Sequence, residues 1–169
     1  MSHFRAVFIT GLIALTVNTI VLKGAAPLGI LAESGGLLRL HVIYLGPLVE
    51  RSGLAQAWAS AGLPGPTTTP FWLAFHYTTG FVMVLLYAYL IEPILPGNGL
   101  TKGTLFSLLP WLINGLIVLP LLGQGPLGVR RLPASGIAYF FLANWSFGAV
   151  LGVLYHRYRE ARRIPYRPQ

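Results

Sequence analysis

At 169 residues the chain has room for one domain, and 54% hydrophobic against 9% charged residues, with a mean hydropathy of +0.66, excludes an ordinary water-soluble globule, in which about a quarter of residues are charged. The net charge of +8 comes from twelve Lys and Arg against four Glu; these basic residues stand at the ends of apolar runs, which excludes a nucleic-acid face and points to anionic lipid headgroups. There is no cysteine, which excludes disulfides, thiolate metal sites, iron–sulfur clusters and cysteine nucleophiles.

A helix needs about 20 apolar residues to cross a hydrocarbon core of about 30 Å. Four segments qualify, approximately 6–22, 71–91, 104–122 and 136–155, bounded by charges or by Pro/Gly clusters such as PGNGLTKG and GQGPLGVRRLP. They predict an all-α integral membrane protein, a four-transmembrane-helix bundle forming a single membrane domain over 1–169. The first segment also has the order of a signal peptide with Arg5 as its n-region, but its apolar core exceeds the usual 7–15 residues or so, and a retained helix is expected.

Between spans one and two lies the connection 24–69. Its apolar run LLRLHVIYLGPLV (37–49) contains Arg39 and His41 and is too short to cross, which predicts an interfacial or re-entrant helix within 35–54 packed over the bundle's mouth.

His76, in span two, is the one titratable side chain well inside an apolar run, and ionisable groups at such depth are costly enough to suggest function. His76, Gly80 and Tyr87 share a helical face, as do Asn144, Gly148, Gly152 and Tyr155 in span four. Gly148 and Gly152 form GxxxG, so spans two and four are expected to pack on these faces, with His76 and Asn144 hydrogen-bonding across the contact. Two functional readings stand beside this packing role: a relay or polar path for a transported substrate at His76/Asn144, or an axial ligand to haem or a chlorophyll-type pigment, with His41 as a second ligand. Span three carries Pro110, Asn114 and Pro120, which should bend it.

Aligning HYTTGFVMVLLYAYLIE (76–92) with NWSFGAVLGVLYHRYRE (144–160) matches Gly80 to Gly148, Tyr87 to Tyr155 and Glu92 to Glu160, which suggests a parallel internal repeat. The four Glu (33, 50, 92, 160) fall at span ends or in the 24–69 connection, where capping or pairing with Lys102 and nearby Arg is expected. No G-x-S-x-G, P-loop, HExxH or dinucleotide fingerprint is present, so no enzyme activity and no metal site is expected.

The basic tail 156–169 carries Arg157, Arg159, Arg162, Arg163 and Arg167 against Glu160. By the positive-inside rule this end is cytoplasmic, and an even number of spans brings the N-terminus to the same side; these arginines are expected to meet lipid headgroups or a partner. The connection 24–69 and the Arg130–Arg131 loop then face the periplasm of a bacterial-type inner membrane.

The run from His76 through IEPILPGNGLTKGTLFSLLPWLINGLIVLPLLGQGP, followed by ANWSFGAVLGVLYHR, resembles the YagU-like inner-membrane proteins. In these a helix with an early His ends in an acidic-proline turn, the next helix closes on PL-x-G, matched by Pro120, Leu121 and Gly123, and an arginine-rich end follows the last. The resemblance implies a helical inner-membrane fold and no defined activity. With nothing catalytic in view, the expected function is a non-catalytic accessory or scaffold subunit of a larger bacterial energy-transducing complex, respiratory or photosynthetic. The alternatives are a small transporter or channel and a haem- or pigment-binding protein.

Overall fold

In a computed structural model that describes residues 2–163, apart from the side chains of Arg162 and Arg163, every regular element is helical. The contacts expected of Arg162, Arg163 and Arg167 lie outside what is described. Four helices are long and apolar enough to cross a membrane: His3–Gly24, Thr69–Ile91, Gly99–Leu121 and Ala134–Ala161.

Helix α1 (His3–Gly24) is capped by Ser2, whose hydroxyl accepts from the Arg5 N–H at 3.3 Å. Its threonines are compatible with an apolar span because each hydroxyl returns to a carbonyl one turn back: Thr10 to Ala6, Thr16 to Leu12 and Thr19 to Leu15, all at 2.8 Å. Helices α2 (Gly36–Arg51) and α3 (Leu54–Ser60) follow in the connection. Gly35, at φ +77°, starts α2 in a left-handed conformation that favours glycine. The first turn of α2 sits on the end of span three, with Gly36 beside Val118 and Leu119, whereas Ile43, Leu45 and Leu48 are exposed and α3 buries nothing.

Helix α4 (Thr69–Leu86) begins on a Thr68 cap and runs into a π-turn at Tyr87–Ile91. Helix α5 (Gly99–Ile113), capped by Asn98, runs into a second π-turn at Asn114–Val118 and ends in α6 (Leu119–Leu121). Each π-turn lies just before a proline, Pro93 or Pro120, which has no N–H to continue the ladder and crowds the carbonyl four residues earlier; the widened turn absorbs that conflict. The expected bend of span three thus takes this form, with the Asn114 amide donating to the Pro110 carbonyl at 2.8 Å. Helix α7 (Ala134–Arg163) is the last.

The most extensive contacts are α5 with α7 and then α1 with α7, while α4 rests on α1. The expected meeting of the span-two and span-four glycine faces does not occur. Gly148 and Gly152 pack on Gly99 and Gly103 of α5, with the backbones interlocked: a Cβ on Gly152 would stand 2.8 Å from the Gly103 Cα, and one on Gly148 2.7 Å from Ser107 Cβ. Gly80 instead receives Leu15 of α1. The physical reason is that α5 carries its own matching row of small residues, Gly99, Gly103 and Ser107, and two flat faces can approach more closely than one flat face and the bulkier side of α4.

Polar bonds fasten α1 to α7: the Asn18 amide donates to the Ala143 carbonyl at 2.7 Å and the Tyr139 hydroxyl to the Val21 carbonyl at 2.8 Å. The core gathers Val7, Ala14, Leu15, Val84, Phe106, Phe147 and Leu151 with Tyr87 and Tyr155, whose rings meet edge-on at 6.1 Å between centroids. A contact between His3 and the Tyr155 hydroxyl, at 3.3 Å, brings the start of α1 to the far part of α7, so these two helix ends lie at one end of the bundle.

Candidate functional site

Because α4 leans on α1, the four spans part toward the end opposite the start of α1 and leave a cleft of about 170 Å³. At the tail end it stops against the packed Leu15, Val84, Phe106, Phe147 and Leu151, which are all buried. His76 and Asn144, singled out in the sequence, both line it, together with Asn18, Thr79 and Asn114.

The three asparagines are held alike. Each amide nitrogen donates to a backbone carbonyl, from Asn18 to Ala143, from Asn114 to Pro110 and from Asn144 to Phe140 at 2.7–2.8 Å. That choice fixes the amide orientation, because an oxygen facing a carbonyl oxygen would be repelled. The three amide oxygens therefore remain as acceptors without a hydrogen bond among the described residues. His76 does not bond to Asn144, contrary to expectation: its Nε2 is buried and has no partner.

The ring of His76 stacks on Trp72 at 5.0 Å and 6°, and Tyr77 meets it edge-on at 5.9 Å. Lys23 Nζ sits over the Trp72 ring, 4.0 Å from a centroid, so that ammonium, indole and imidazole form a column at the mouth of the cleft. His41 does not line the cleft; its Nδ1 is bonded to the Leu37 carbonyl at 2.8 Å and its ring meets Phe75 edge-on. Among the described residues no group of three or more His, Cys, Asp or Glu is gathered as a metal site would be.

Outside this column lies a second, wider chamber of about 480 Å³, sharing Ser34, Gly35, Leu38 and Trp72 with the inner one. Its rim is fixed by a polar cluster: Arg39 pairs with the buried Glu33 at 2.5 Å, and Gln124, with its amide turned to satisfy both, donates to Glu33 at 3.3 Å and accepts from Arg39 at 3.0 Å. This ties the 24–69 connection to the loop after α6.

The termini end holds a second buried carboxylate. Glu92 is only 2% exposed and takes Lys102 at 3.1 Å and, on its other oxygen, Arg159. Pairing with Lys102 and a nearby Arg was expected, and Arg159 is that Arg: it turns inward to Glu92, a role beside the headgroup or partner contact also expected of it. The π-turn explains the placement, since its extra residue rotates Glu92 toward the bundle, where its N–H bonds the Tyr87 carbonyl at 2.8 Å. Arg157 is exposed, and His156 pairs with Glu160 one turn on at 3.2 Å.

The sequence reading missed Asn18, Trp72, Lys23 and Gln124, and also the glycines Gly99 and Gly103. Two signals were present: Asn18 is a lone amide inside an apolar run, and G-L-T-K-G at 99–103 is a second GxxxG. No protein-family profile, curated protein sequence or solved structure matches the chain.

Proposed function

We propose that the chain is a non-catalytic integral membrane protein of a bacterial-type inner membrane that binds a ligand in the cleft between its four spans. The observation that carries this reading is the set of polar atoms without hydrogen-bond partners among the described residues, the acceptor amide oxygens of Asn18, Asn114 and Asn144 and the buried His76 Nε2, held within spans where bare polar groups are costly. A ligand with hydrogen-bond donors for the amide oxygens and a polar atom for the imidazole would satisfy them. The closed tail end favours binding over a standing pore, and transport along His76/Asn144 would require the Leu15–Val84–Phe147 packing to open. A haem or pigment on His76 would require the 170 Å³ cleft to widen. The YagU-like motifs and the arginine tail support the inner membrane with both termini cytoplasmic.

The test is native mass spectrometry of protein purified in mild detergent. Wild type should carry a small-molecule adduct that an Asn144→Leu/His76→Leu double variant binds about thirtyfold more weakly, each lost hydrogen bond weakening binding by about 1 kcal/mol. Ligand-free wild type across several extraction conditions would sink the idea.

A specific observation favours a second reading, the accessory or scaffold subunit of a larger respiratory or photosynthetic complex. The α2–α3 arm exposes Ile43, Leu45, Leu48, Leu54 and Trp58 beyond the four spans, an apolar surface suited to a partner helix or to the interfacial layer. If it is a subunit contact, polymer-extracted wild type should migrate with stoichiometric partners and Leu48→Gln/Leu54→Gln should migrate alone. Wild type running as a lone monomer would count against it.

A further inference from the structure

The outer chamber has two unlike walls. One is cationic and hydroxylic: Lys23 forms no ion pair among the described residues, Arg39 shares the single carboxylate of Glu33, and the Thr67 and Thr69 hydroxyls make no hydrogen bond there. Two positive charges face one negative, so the wall is one anion short. The other wall is apolar, formed on α2 by Leu38, Val42 and Ile43, of which Val42 is 41% and Ile43 57% exposed.

A free anion uses the first wall and leaves the second bare. An amphiphile uses both, and the chamber is open at the end of the bundle, where spans pass from hydrocarbon to headgroup region and basic side chains attract anionic lipids. Its volume of about 480 Å³ suits a headgroup and the start of a chain but not a whole two-chain lipid, whose tails would continue along Val42 and Ile43 into the bilayer.

We propose that this chamber is a site for an anionic phospholipid, its phosphate on Lys23 and Arg39 with Thr67 and Thr69 as further donors, and its acyl chains along α2. The inference rests on the reading of the cleft as a binding site and names the class of ligand at its mouth. It also gives the Lys23–Trp72–His76 column a role: a phosphate that draws Lys23 off the indole frees the ring that separates the two chambers.

The test titrates wild type, Lys23→Gln, Lys23→Arg and Arg131→Gln in neutral detergent with dioctanoyl phosphatidic acid, dioctanoyl phosphatidylcholine and inorganic phosphate, read by native mass spectrometry and thermal melting. The expected result is a 1:1 phosphatidic acid adduct that raises the melting point and is preferred over phosphatidylcholine. Lys23→Gln should weaken it about fivefold, about the effect of one basic residue near a charged membrane surface. Lys23→Arg should retain the preference, which separates loss of charge from misfolding. Arg131→Gln, an exposed cation at the same end, should change nothing. Equal loss in Arg131→Gln, or equal stabilisation by inorganic phosphate, would overturn the proposal. Adducts indifferent to headgroup charge but lost in Asn144→Leu/His76→Leu would overturn it while leaving the cleft reading intact, and no adduct with either lipid would overturn it likewise, the cleft reading failing only if wild type also carries no co-purified ligand.

Discussion

Gly103→Ala is expected to destabilise the bundle by at least about 2 kcal/mol, although intrinsic helix propensity alone would favour Ala by about 1 kcal/mol. The opposing term is steric and larger. A Cβ at residue 103 points into the backbone of α7, where the Gly148 carbonyl carbon would be 2.8 Å away and the Gly152 Cα 3.0 Å, and neither is the end of a flexible side chain that can swing aside. The helices must separate, and in lipid, where little hydrophobic force drives them back together, close packing and Cα–H···O contacts are what is lost. Gly148→Ala should behave alike. Gly65→Ala, with nothing within 4 Å of its added methyl and no positive φ, is expected to be neutral or stabilising by about 0.5 kcal/mol through the unfolded state. Thermal unfolding in detergent followed by circular dichroism checks the contrast, and equal melting points for Gly103→Ala and Gly65→Ala would refute the interlocked-glycine account.

Glu92→Gln is expected to cost about 3 kcal/mol, the second large effect. The residue is 2% exposed, so its charge interacts with Lys102 and Arg159 with little screening by water; replacing it leaves a partly buried ammonium without a counter-charge. Lys102 also donates to the Glu92 carbonyl at 2.9 Å, which survives the change and keeps the ammonium pinned where its charge is uncompensated. Combining Glu92→Gln with Lys102→Met should recover at least about 1 kcal/mol of the loss, because contacting partners couple by 0.5–3 kcal/mol or so. Strictly additive single variants would mean that the cluster is screened and contributes little.

The membrane architecture was readable in the sequence because its signal is strong and local: the apolar runs 6–22, 71–91, 104–122 and 136–155 correspond to helices with limits of 3–24, 69–91, 99–121 and 134–161. Prolines in span three and the acidic residue before Pro93 also announced themselves, since ring sterics act within one turn. The pairing of Glu92 with Lys102 followed from sparse charge, as few partners exist for a carboxylate here. His76 and Asn144, singled out in the sequence, line one cleft, but as separate walls of it and not as a bonded pair.

Which helix faces meet is a different kind of property. The sequence contains two GxxxG pairs, at 99–103 and 148–152, and a lone Gly80, and each is flat enough to accept a neighbour; only the competition among all pairings assigns Gly148 to Gly103 and leaves Gly80 to Leu15. The cleft is a by-product of that competition, because α7 gives its smallest face to α5 and α4 is left leaning on α1. The column of Lys23, Trp72 and His76 joins residues from α1 and α4 that no spacing rule relates. By itself, then, the sequence determined that this chain has four helices long and apolar enough to cross a membrane, with basic residues at their ends, since hydrocarbon enforces a long apolar run on each crossing segment. The tertiary structure alone decided where the spans touch and where they part, because close packing in lipid depends on the joint fit of surfaces far apart in the chain.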